Sequence, residues 1–64
     1  MVFIKAFYKG TVRYGLFDIN FDLDDIADLF NYFKKIDPSD VSWEKVDQQE
    51  IPKHILIQLF DSIA

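Results

Sequence analysis

The sequence predicts an α+β fold in one small domain spanning residues 1–64: a three-stranded, mainly antiparallel sheet with two helices on one face, in the order β-β-α-β-α. Three observations lead there. Residues 2–8 alternate, with Val2, Ile4, Ala6 and Tyr8 to one side and Phe3, Lys5, Phe7 and Lys9 to the other, the period of a strand. Two later stretches carry apolar residues at helical spacing, each behind an aspartate placed to cap it. Between them, a proline turn leads into a short β-like run.

The first strand ends at Tyr8-Lys9-Gly10-Thr11. Gly10 accepts a positive φ without Cβ strain, and a three-residue loop ending on it makes a hairpin with a glycine bulge. That register keeps even residues together. Val12, Tyr14 and Leu16 then lie beside Val2, Ile4 and Ala6, and Thr11, Arg13, Gly15 and Phe17 join Phe3, Lys5 and Phe7. After Gly15 the apolar parity changes, because Phe17, Ile19 and Phe21 alternate with Asp18, Asn20 and Asp22, which predicts a bulge or bend.

Asp22 opens the first helix as N-cap, with Phe21 set to staple onto Ile26. Asp22, Asp24 and Asp25 occupy its positive end, and Lys34 and Lys35 stand near the far end, before Asp37-Pro38 stops it. Its apolar positions are Leu23, Ile26, Ala27, Leu29, Phe30, Phe33 and Ile36, with Tyr32 at the edge. They cover more than half the girth, wider than the stripe one sheet face needs. Pro38-Ser39-Asp40 is a turn, and residues 41–46 form the third strand. Asp47 and Glu50 have capping-box spacing, with Val46 and Ile51 as staple, and Pro52 is an alternative first turn for the second helix. Ile55, Leu56, Leu59, Phe60 and Ile63 line that helix, and Ile57 projects off the stripe.

Composition narrows the function classes. Sixty-four residues bury only roughly 60% of the surface the unfolded chain exposes, which leaves little room for a multi-step active site. No cysteine is present, so disulfides, thiolate zinc sites and cysteine nucleophiles are excluded, and a reducing, cytoplasmic setting fits best. Lys5 interrupts the apolar N-terminus and no small-residue cleavage site follows, so neither a signal peptide nor membrane insertion is expected. The net charge of −4 is unevenly spread: residues 1–17 hold Lys5, Lys9 and Arg13 and no acid, while all eleven acids follow. Such polarity directs partners toward one surface.

With helices on the even face, the odd face is left open and interleaves Phe3, Phe7 and Phe17 with Lys5, Lys9 and Arg13. Sheet aromatics beside cations are how several single-strand nucleic-acid binders work. The acidic balance and the lack of an RNP-type motif turn the reading instead to a protein interface, with Phe3, Lys5, Phe7, Arg13, Phe17, Trp43 and Ile57 as candidate contacts. DNA mimicry by the acidic surface is the other alternative.

The oxygen-rich run Asp18, Asn20, Asp22, Asp24, Asp25 resembles a calcium loop only superficially, because Leu23 and Leu29 stand where such a loop needs Gly and a bidentate Glu. One histidine, His54, cannot assemble a multi-histidine site. Ser39, Ser42 and Ser62 lack a nucleophile elbow, and no pocket is expected to shift the Asp22 and Asp25 carboxyls. The expectation is a non-enzymatic interaction module, without cofactor or metal, acting as a regulator or inhibitor and self-associating as a homodimer.

Overall fold

A computed structural model describes residues 1–30 and 36–61. Strands β1 (Val2–Tyr8), β2 (Thr11–Phe17) and β3 (Ser42–Val46) form one antiparallel sheet in the order β2-β1-β3, and helices α1 (Leu23–Ala27) and α2 (Lys53–Asp61) complete the α+β fold in the predicted order. Short 3₁₀ turns at Pro38–Asp40 and Gln48–Glu50 bracket β3.

The alternation of β1 makes it the central strand, with its even residues inward: Ile4 and Ala6 are fully buried. Its hairpin differs from expectation in one respect that propagates. Lys9 (φ 47°) and Gly10 (φ 79°) both take the left-handed conformation, and Tyr8 pairs directly with Thr11, which is a two-residue turn of the type that matches strand twist. The loop is one residue shorter than predicted, because Lys9 itself turns left-handed and no bulge is needed. One residue of slip exchanges every side chain of β2 between faces. Even residues of β1 therefore meet odd residues of β2, with Val2 opposite Phe17, Ile4 opposite Gly15 and Ala6 opposite Arg13. Pairing runs unbroken to Phe17, so the bulge expected after Gly15 is absent. The parity change is instead the strand ending in a turn closed by Phe21 N–H donating to the Asp18 carbonyl at 3.1 Å.

The core lies on the even face of β1. Ile26 and Ala27 of α1 join Ile4, Ala6, Ile36 and Val41, and Val2, Tyr8, Phe17, Phe21, Leu29 and Phe30 pack around them. Gly15 is required here: a Cβ would stand 2.5 Å from the Phe17 ring and 3.2 Å from Leu29. Helix α1 starts as predicted. Asp25 N–H donates to Asp22 Oδ1 at 3.0 Å, Asp22 N–H donates to Asp25 Oδ2 at 3.1 Å, and Phe21 packs on the cluster that holds Ile26. It is shorter than expected, since after Ala27 the chain tightens: Leu29 N–H donates to the Ile26 carbonyl and Phe30 N–H to that of Ala27, three residues back rather than four. The predicted contributions of Tyr32, Phe33, Lys34, Lys35 and Ile63 fall outside the described residues.

Helix α2 is placed differently from the expectation that both helices share the even face. Its Phe60 meets the odd-side residue Phe3 edge-on, ring centroids 6.1 Å apart at 88°. The even face is already filled by α1 and its aromatics, and Val46, where β3 ends, pairs with Phe3 on the odd side. The apolar stripe of α2 is thus delivered to the other face. The Asp47–Glu50 spacing caps the 3₁₀ turn, Asp47 N–H donating to Glu50 Oε2 at 2.9 Å, and α2 itself starts from Pro52, whose carbonyl accepts from Ile55 and Leu56. Of the two readings of that segment, the proline start holds for the helix.

Candidate functional site

The corrected register redistributes the predicted contact residues. Phe3, Lys5 and Phe7 remain together on the odd face, but their β2 neighbours are Leu16, Tyr14 and Val12, and their β3 neighbours are Val46, Glu44 and Ser42. Arg13 and Phe17 lie on the opposite side, Arg13 beside Ala6 and Phe17 against the core with its ring 5.8 Å from Phe21. Trp43, also opposite Ala6, meets Phe21 edge-on at 5.2 Å and is 38% exposed at the sheet edge. The predicted single face of three phenylalanines and three cations is therefore divided between two faces. The row of stacked rings and phosphate-binding cations on which a nucleic-acid reading depends is not assembled.

What the odd face does present is a surface covered at one end. At the Phe3 end, Phe60 lies on the sheet. Successive strand residues rise about 3.3 Å, so Phe7, four residues on, stands about 13 Å away at the other end. Val12, directly across from Phe7, is 43% exposed. Lys5 lies between the two ends, opposite Tyr14 on one side and Glu44 on the other, and its Nζ sits 5.4 Å from the Phe7 ring centroid. A cation over a ring face is held by the ring quadrupole, and a base directly across from an acid adds modestly to strand pairing. The result is a half-buried Phe7 with a charged neighbour at its margin, beside an exposed Val12.

Helix α2 continues the apolar surface. None of its described residues is buried. Phe60 remains 43% exposed despite its contact with Phe3, and Ile57, one turn earlier and off the apolar stripe, is 53% exposed. Of the predicted contacts, Ile57 is thus exposed on α2, Phe3, Lys5 and Phe7 belong to the odd face, and Val12, Tyr14 and Phe60 join them there. Those three were hidden by the assumed loop length and helix placement. The signal that could have found them is Lys9-Gly10 read as a two-residue turn.

The acidic run has local backbone roles. Asp22 and Asp25 cap α1, and Asp18 Oδ1 accepts the Asn20 N–H at 3.1 Å. At the turn before β3, Asp37 Oδ1 accepts from Ser39 N–H at 3.0 Å and from its hydroxyl at 2.9 Å, and those two bonds, the backbone one first, hold the Asp37 carboxyl below its usual range. His54 is exposed on α2. Among the described residues no group of three His, Cys, Asp or Glu side chains is placed to hold a metal ion, and no helix is long and apolar enough to cross a membrane. Compared with protein-family models, curated proteins and solved structures, the chain matches none of them.

Proposed function

We propose that this protein is a non-enzymatic, cytoplasmic interaction module, a regulator of other proteins, that associates with itself through the odd side of its sheet. The observation that carries this reading is the unequal covering of that side. Phe60 and Ile57 of α2 stay largely exposed, and at the far end Val12, across from the half-buried Phe7, is 43% exposed. Apolar side chains grouped with a charged margin are what protein interfaces present. Burying them against a second copy removes about 25 cal/mol per Å² of apolar surface from water, without disturbing the core on the even side.

Sedimentation of the wild type and of Phe7→Glu, with urea midpoints measured for both, tests this. The wild type should form dimers at micromolar concentration, and Phe7→Glu should be a folded monomer, because a charge placed in the apolar centre stays solvated only if the surface stays open. A wild type that sediments as a monomer throughout removes self-association from the reading. Loss of folding in Phe7→Glu would place Phe7 in the core and refute the assignment of the open side.

A further inference from the structure

We infer that the two copies join edge to edge, β2 pairing antiparallel with β2 of the second copy about a two-fold axis at Tyr14. This rests on the self-association proposed above and specifies how the copies meet.

The strand order leaves two edges, β2 and β3, and only one is protected. Edges are ordinarily blunted by shortness, charge, proline or bulges. Strand β3 has five residues, carries Glu44 and Lys45, and is closed at both ends by 3₁₀ turns, one of them containing Pro38. Strand β2 has seven residues, no proline and no bulge, and Arg13 is its one charge. Thr11, Val12 and Arg13 are exposed, and Tyr14 partly so.

Hydrogen-bond alternation identifies what the open edge offers. In a two-residue hairpin the pair closing the turn exchanges both bonds, and every second pair after it does the same. Thr11, Arg13, Gly15 and Phe17 therefore bond to β1, and Val12, Tyr14 and Leu16 direct their N–H and carbonyl groups outward. Their side chains stand on the odd face, the side with the incomplete covering.

A second copy satisfies this edge without conflict. With the axis at Tyr14, Val12 faces Leu16 of the second copy, Tyr14 faces Tyr14, and Arg13 faces Gly15, so no like charges are directly opposed. The same operation on β3, centred on Glu44, sets glutamate against glutamate, a destabilising pair. Joining at β2 also lays the two odd faces side by side in one six-stranded sheet, so the apolar rows of the copies run together.

The chain is short enough for chemical synthesis, so single backbone N–H groups can be methylated. N-methylation of Tyr14 removes an outward donor and no bond to β1. Sedimentation should show dimerisation weakened by about tenfold or more, the loss of one to two hydrogen bonds, with the circular dichroism of the hairpin retained. N-methylation of Trp43, an outward donor of the β3 edge by the same alternation, should leave dimerisation unchanged. In the wild type, amide exchange at Val12 and Tyr14 should slow as concentration rises through the dimerisation range, a readout that needs no variant. A folded N-methyl-Tyr14 chain that dimerises like the wild type, or exchange at those amides that ignores concentration, would overturn the edge pairing while leaving a face-to-face dimer standing. A wild type monomeric at every concentration overturns both.

Discussion

The two faces of the central strand are finished to different degrees. On the even side, Ile4, Ala6, Ile26 and Ala27 are shut away from water beneath a shell of aromatic side chains. Ile51 is buried in the approach to α2, yet α2, whose Phe60 meets Phe3 on the odd side, buries none of its described residues, and Val12 is 43% exposed. One strand thus faces two environments: its even residues hold the core together, and its odd residues are only half-buried. The difference lies in what is buried: exposed apolar side chains occur on both layers, Val12 and Phe60 with the odd face and Leu23 and Trp43 with the even one, but the fully buried core residues belong to the even side alone.

The largest expected effect breaks that comparison directly. Ile26→Ala, at a fully buried position, should cost about 2–5 kcal/mol, a large share of the roughly 3–10 kcal/mol a chain of this length has in total. Ile57→Ala, at an exposed one, should stay within about 0.5 kcal/mol. Urea midpoints compare them, and similar losses would mean that α2 is as integral to folding as α1.

Next comes Gly15→Ala, which overfills the even side against Phe17 and Leu29 and should cost about 1–3 kcal/mol. Reducing Phe17 to Leu in the same chain should recover part of that loss. If Gly15→Ala is neutral, the Phe17 ring gives way to the added methyl and glycine is not required at this position.

Asp22→Ala removes one half of the reciprocal cap on α1 and should lower stability by about 1 kcal/mol without changing self-association, since α1 belongs to the other face. Millimolar calcium should raise neither midpoint, whereas a rise in the wild type alone would assign the acidic run to metal binding.

The smallest effect is one of pH. Ser39 donors lower the Asp37 carboxyl in the folded state, so the contribution of Asp37 is fully present above the ordinary carboxylate range and is lost as pH falls through its depressed folded value. Asp37→Asn should slightly flatten the acid limb of a stability profile between about pH 5 and pH 2 and leave the neutral limb unchanged. An unaltered acid limb would show that the turn is made equally well by an uncharged side chain.

Local signals in the sequence were legible where a single residue decides the outcome. The alternation of residues 2–8, the Asp22 cap and the entry to α2 at Pro52 all follow from side-chain chemistry within a few positions. Register was not legible in the same way, because Lys9-Gly10 suits both a two-residue and a three-residue loop, and that choice moves Arg13 and Phe17 to the opposite face from Phe7. Helix α1 read too long because apolar residues continue past Ala27 around its girth, while the backbone tightens there into a turn. The placement of α2 depended on competition: once Phe17, Phe21 and Phe30 fill the even side, the second helix must use the other. Phe3, Lys5 and Phe7 share a face as the alternation of β1 requires, and which residues of β2 and α2 lie beside them awaited the register.

The assignment of side chains to the two faces depends on how β1 and β2 are aligned, and a proton NOE spectrum of the wild type measures that alignment directly. Facing α-protons in the non-hydrogen-bonded pairs of an antiparallel ladder, where the Cα atoms come closest, give strong cross-peaks, so the two-residue turn requires peaks between Phe3 and Leu16, Lys5 and Tyr14, and Phe7 and Val12. Peaks between partners of like parity, such as Ala6 with Val12 or Ile4 with Tyr14, would return Arg13 and Phe17 to the side of Phe7 and contradict the division of the sheet into a core face and a face that carries Phe3, Lys5 and Phe7.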